Sequence, residues 1–201
     1  MTSNPSRRRF FVSGLALAGA ALAPLPLHAL TEARARALVD QVVNEINRVI
    51  ASGKGLSSMI RDFEQIFSRH ADVSIIAQST LGADARRASS AQLRAYTEAF
   101  RGYVARKYGK RFNEFKGGRI EVNGVTQVKS WHEVKSTAYL PGESPFEVSF
   151  LVSDRSGQDK FFDMIIEGIS LRLSERTEIG AMLDRRNGDI NALIQDLKQA
   201  G

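Results

Sequence analysis

The chain has 201 residues, no cysteine and a formal charge of +6, with 43% hydrophobic and 25% charged residues. Without cysteine there are no disulfides, thiolate nucleophiles or cysteine-ligated metals, so the fold has to be held by its core. The charge is milder than it looks: residues 1–29 hold three arginines and no acids, and the remainder carries +3, too little to point to nucleic acid. In chain order, Ser6, Arg7, Arg8, Arg9, Phe10 and Phe11 lead into an apolar run over residues 10–23, and Leu27-His28-Ala29 offers a small residue for cleavage. That run is too short to span a hydrocarbon core of about 30 Å. It reads as a cleavable export peptide over 1–29, of twin-arginine type, followed by one domain over 30–201.

The first half of that domain reads as helix. Thr31 caps a segment with Leu38, Val42, Ile46, Val49 and Ile50 on one stripe, and a second segment gathers Met59, Ile60, Phe63, Ile66 and Phe67. Asp72 caps a short third one, which stops at Leu81-Gly82. Ser89 and Gln92 then form a capping box before a stripe through Leu93, Tyr96, Phe100, Tyr103, Val104, Lys107 and Phe112. Arg94, Arg101, Arg106, Lys110 and Arg111 lie off that stripe, as a solvated face or a partner-facing patch.

From Gly117-Gly118 the period changes to two. Strands are expected over 119–128, 133–140, 146–154 and 160–169, with connections short enough for an antiparallel meander. A helix over 178–186 and another capped by Asp189 close the chain. The predicted class is therefore α+β: a curved, mainly antiparallel four-stranded sheet wrapped by N-terminal and C-terminal helices. Such a layout encloses either a closed core or an apolar cavity, and the residue pattern alone leaves both open.

Catalytic and metal-binding patterns are sparse. Beyond the export peptide only His70 and His132 remain as histidines, and no His-Glu-x-x-His spacing, phosphate-binding loop or nucleophile elbow occurs. Asp163 and Glu167, four apart on an expected strand, share a face and could form an acid/base couple in a small isomerase-like or dehydratase-like enzyme; ion pairs or backbone N–H partners are the structural alternative. No cofactor is implied, and the chain is not read as an enzyme.

Three motifs carry a resemblance. Leu81-Gly82 is followed by Arg86, Ala88 and Ser89; Phe100-Arg101 stands with Tyr103 and Tyr108; and Asp163, Ile166, Glu167, Gly168, Ile169 and Ser170 precede Arg176. In this order the chain resembles the MlaC family, also called the toluene or organic-solvent tolerance family, although Ala85 stands where many members have tryptophan. The resemblance implies a periplasmic phospholipid carrier that holds acyl chains in an apolar cavity. It further implies shuttling between an outer-membrane lipoprotein complex and an inner-membrane ABC transporter with a lipid-binding ring, maintaining outer-membrane lipid asymmetry. A hopanoid-associated branch would share the motifs, so a hopanoid is the alternative cargo. Under this reading the cavity wall is expected from Val122, Val134, Val148, Phe150, Met164 and Ile166 on strands, with Ile60, Phe63, Ile76, Phe100 and Tyr103 on helices.

Overall fold

The computed structural model describes residues 29–201. The expected export peptide therefore lies outside the described residues except for Ala29. Four helices come first: α1 (Glu32–Ala51), α2 (Leu56–His70), α3 (Val73–Leu81) and α4 (Ser90–Gly109). Their starts follow from capping chemistry. The side chains of Thr31, Asp72 and Ser89 accept hydrogen bonds from the N–H groups of Arg34, Ile75 and Gln92, and the Gln92 side chain accepts one from Ser89 N–H to complete the box. α4 ends before the stripe does, and the chain continues as a 3-10 turn over Lys110–Asn113.

The strands are β1 (Arg119–Val128), β2 (Trp131–Tyr139), β3 (Phe146–Ser153) and β4 (Lys160–Ile166), followed by a short fifth strand, β5 (Ile169–Ser170). The sheet is an antiparallel meander in sequence order. Its fifth strand corrects the expected four, and the cause is local. Glu167 and Gly168 both have positive φ, 50° and 81°, and form the two-residue reversal of a hairpin pairing Ile166 with Ile169. What reads as one strand to residue 169 is thus folded back on itself.

Two helices complete the chain, α5 (Leu171–Arg185) and α6 (Ile190–Gln199). α5 starts well before the helix expected over 178–186, because its first turn is fixed by polar groups and not by an apolar stripe. Ser170 Oγ accepts from Leu173 N–H at 3.1 Å, and the Asp163 carboxylate accepts from Arg172 N–H at 3.0 Å. A carboxylate beside a helix N-terminus also complements the helix dipole.

Register decides which strand residues face the helices. Direct antiparallel partners point the same way. One inward row runs Val122, Ser136, Val148, Ile166, and the next runs Val125, Val134, Phe150, Met164. β2 shows the alternation cleanly: His132, Val134, Ser136 and Ala138 are buried, and the residues between them are not. α1 lies across β1 and β2. Asn47 secures it by bonding both backbone groups of Ile120, each at 2.9 Å, which also occupies part of the β1 edge. α2 and α6 pack on α4, and α3 on α5.

Candidate functional site

Between the helices and the β3–β4 side of the sheet the interior is hollow. The space has a volume of about 990 Å³ when its open side is included. Phe63 and Phe67 of α2, Ile76 of α3, and Phe100 and Val104 of α4 form the helical wall. Ile120, Phe146, Val148, Phe161, Met164 and Ile166 form the sheet wall, with Ile46, Phe115 and Leu171 at the margins. These walls offer a water molecule almost no hydrogen-bond partner, so the hollow suits apolar matter.

The polar lining groups are neighbours at one corner: Tyr108, Arg111, Asp163, Arg172 and Glu175. Asp163 is buried and accepts from Ser170 Oγ at 2.6 Å and from Met164 N–H at 2.9 Å, besides Arg172 N–H. Glu175 is 2% exposed; its Oε1 accepts from Lys107 Nζ at 2.7 Å and from the Tyr108 hydroxyl. Lys107 also donates to Glu178, and Tyr103 donates to Glu178 at 2.8 Å. Burial lowers the affinity of Lys107 for its proton, but the bonds and charges of Glu175 and Glu178 outweigh it, and its pKa lies above the ordinary lysine value. Burial raises the Glu178 pKa, yet its bonds to Lys107 and Tyr103 leave it below the usual carboxylate range. Burial, with the adjoining acids, holds the Tyr103 and Tyr108 phenols well above theirs.

The expected wall residues divide. Phe63, Ile76, Phe100, Val148, Met164 and Ile166 line the hollow. Val122, Val134 and Phe150 occupy the same inward face of the sheet but not the lining. Ile60 is turned to a helix crossing, where a Cβ on Gly109 of α4 would come within 2.9 Å of its Cγ1. Tyr103 is buried beside Phe100 with its hydroxyl committed to Glu178. The possible acid/base couple does not form: Asp163 is buried and fully engaged, whereas Glu167 is exposed on the hairpin turn.

Other lining residues went unnoticed in the sequence. Phe67 and Val104 sit on stripes already recognised, and Ile120 and Phe146 follow from register, since both pair with Ala138. Phe161 could not be found by alternation. An irregularity at Leu151/Val152 sets Phe161 opposite Val152 on the inward face, and Phe162 instead meets Trp131 edge-on at 6.0 Å.

This fold and hollow can be set beside known proteins. The family model described as MlaC protein matches residues 36–199. The chain belongs to the MlaC family. Among solved structures it is similar to the phospholipid-binding protein from Ralstonia solanacearum in complex with a phospholipid, at 20% identity and a TM-score of 0.70. The match covers 82% of this chain and 95% of that one, so the two share the α+β fold over nearly their full domains. Among the described residues no helix is long and apolar enough to cross a membrane.

Contacts on α5 link the three MlaC-like motifs beside the hollow. Gly82 has φ +61°, and a Cβ there would lie 2.9 Å from Nη2 of Arg176, so the first motif seats an arginine of the third. Phe100 lines the hollow, while Tyr103 and Tyr108 on the same helix reach the acids of α5. Arg101, between them, is turned outward to Glu64 and Glu98. Asp163 and Ser170 set the start of α5. The motifs are joints that hold α3, α4 and α5 around the space.

Proposed function

We propose that this MlaC-family chain is a periplasmic lipid carrier that holds phospholipid acyl chains in the hollow between α2–α4 and β3–β4. The observation that carries this reading is the segregation of chemistry in the lining. Phenylalanine and aliphatic side chains make up the walls, and the polar lining groups gather at a corner where Arg111 is exposed and Arg172 partly so. That is the polarity of a two-tailed amphiphile. The phospholipid complex of the Ralstonia solanacearum protein supports it by fold.

Energetics explain the need for such a cavity. Moving apolar groups into water costs roughly 0.8 kcal/mol per methylene, so two acyl chains of about 30 methylenes cost on the order of 20 kcal/mol. Free crossing of an aqueous compartment is negligible on that scale. A carrier offsets the cost by exchanging water for apolar side chains, and this requires no bond-making group. The reading extends to lipid exchange between an outer-membrane lipoprotein complex and an inner-membrane ABC transporter bearing a lipid-binding ring, in the service of outer-membrane asymmetry.

The test is organic extraction of the purified protein followed by mass spectrometry. Near-stoichiometric phospholipid is expected. A protein that copurifies with no lipid and takes none up from vesicles would contradict the reading, and a hopanoid in the extract would replace the cargo while leaving the carrier.

A further inference from the structure

We propose that Arg111 and Arg172 form a phosphate-binding subsite at the polar corner of the hollow, holding the phosphodiester of the cargo's headgroup. The inference rests on the carrier reading and adds to it the part of the lipid that the apolar walls do not hold.

Both arginines line the same space as the phenylalanines. They stand on different elements, Arg111 in the 3-10 turn after α4 and Arg172 in the first turn of α5. A chain of contacts brings them together. Arg111 follows Tyr108 by one helical turn, the Tyr108 hydroxyl bonds Glu175, and Glu175 lies one turn from Arg172 on α5. The charge of Arg111 acts on the Tyr108 phenol, lowering its pKa against the larger effects that raise it.

The guanidinium groups have hydrogen bonds to spare. Arg172 Nε is buried and forms no hydrogen bond; it is ion-paired with Asp163 Oδ2 at 3.5 Å, an oxygen already bonded to Ser170. Each guanidinium presents five N–H donors in a planar fork that matches a phosphate oxygen pair.

Neighbouring acids narrow the ligand further. Asp163 is occupied by Ser170 and two backbone N–H groups, and Glu175 Oε1 by Lys107 and Tyr108, but Glu175 Oε2 has no partner. A free dianion would meet this unbonded carboxylate oxygen with only the two arginines to hold it. A singly charged phosphodiester whose tails are seated in the hollow is the class that fits both the arginines and the acid. The α5 N-terminus is not a competing anion site, since the Arg172 and Leu173 N–H groups are taken by Asp163 and Ser170.

The experiment is a competition for the delipidated protein between a phospholipid and a diacylglycerol carrying the same acyl chains, read by mass spectrometry. Melting temperatures are recorded alongside, and inorganic phosphate is titrated separately. The native protein should favour the phospholipid by about tenfold. R111Q should weaken that preference and R111Q/R172Q abolish it, with acyl-chain binding retained. R111Q leaves the Asp163 contacts untouched and decides the matter if the double variant does not fold. Equal uptake of both lipids by the native protein, or a preference unchanged in R111Q, overturns the subsite and leaves the carrier standing. Tight binding of inorganic phosphate would assign the arginines to a free anion and also overturn the proposal. Uptake of neither lipid removes the carrier reading itself.

Discussion

The inward face of the sheet is solid over most of β1–β2, where only Ile120 reaches the lining, and hollow beside β3–β4, although apolar residues alternate onto that face in both halves. Over the middle of β1–β2 the inward side chains are short: Val125, Val134, Ser136 and Ala138 let α1 lie close, and Asn47 ties that helix to Ile120. Toward β3–β4 the opposed surfaces carry rings, with Phe63, Phe67 and Phe100 on the helices facing Phe146 and Phe161 on the sheet. Large rigid side chains on both sides keep the layers apart. Alternation therefore determines which face is dry, and side-chain size together with the path of the helices determines whether that face is filled.

The sharpest way to break this comparison is to place a charge in each half. Val134→Asp puts a carboxylate in the solid half, where Val134 is 0% exposed, and should cost about 4 kcal/mol or more in urea denaturation. Met164→Arg puts a guanidinium in the hollow half, where water can reach it once the space is empty. The fold should survive with a melting temperature near that of the delipidated protein, while copurified lipid falls by about tenfold or more. Equal damage from the two substitutions would mean that the halves do not differ.

Effects at the polar corner should be smaller. Glu175→Gln removes the charge that Lys107 and Tyr108 share and should cost about 1–3 kcal/mol by the same denaturation measurement. Asp163→Asn should fall in a similar range of about 1–3 kcal/mol, because at most part of its three hydrogen bonds, two of them to the start of α5, can be rebuilt.

The corner also sets an alkaline limit. The folded pKa values of Lys107, Tyr103 and Tyr108 are raised, so their contribution is fully present below the ordinary tyrosine value of 10.0 and is lost as pH rises beyond it. Glu178 is lowered, so its share is present above its ordinary value of 4.5 and is lost as pH falls through its folded value. A stability profile measured by urea melts from pH 4 to 11 should be flattened on its alkaline side in Glu175→Gln. The smallest effect belongs to Glu167→Gln, on the exposed hairpin turn, with a change within about 0.5 kcal/mol.

Much of this arrangement was legible in the sequence, for reasons that can be named. Helix starts could be read because capping is local: Thr31, Asp72, Ser89 and Asp189 all act within three residues of themselves. The inward sheet face could be read because Val134, Val148, Phe150, Met164 and Ile166 keep period two through regular pairing. The cavity outline was less legible, since it depends on which inward residue a helix covers. Val134 and Met164 are in the same row, and only Met164 lines the space.

Two local irregularities were hidden for different reasons. The bulge that turns Phe161 inward leaves no mark in a run reading Lys160-Phe161-Phe162-Asp163. The Glu167-Gly168 reversal was half visible, as Gly168 signals a turn, while Glu167 is an uncommon residue at positive φ. That reversal separates Glu167 from Asp163 and dissolves the apparent carboxylate pair. The early start of α5 was concealed because Asp163 and Ser170, not an apolar stripe, define it.

The most direct test of the hollow half as the lipid site is photo-crosslinking with a phospholipid bearing a diazirine near the end of one acyl chain, followed by peptide mapping. The account predicts adducts on α2, α4, β3 and β4, at or beside Phe63, Phe100, Val148 and Ile166, and none on the β1–β2 face at Val125 or Val134. Adducts confined to the β1–β2 half, or scattered over exposed surface with none in β3–β4, would contradict it.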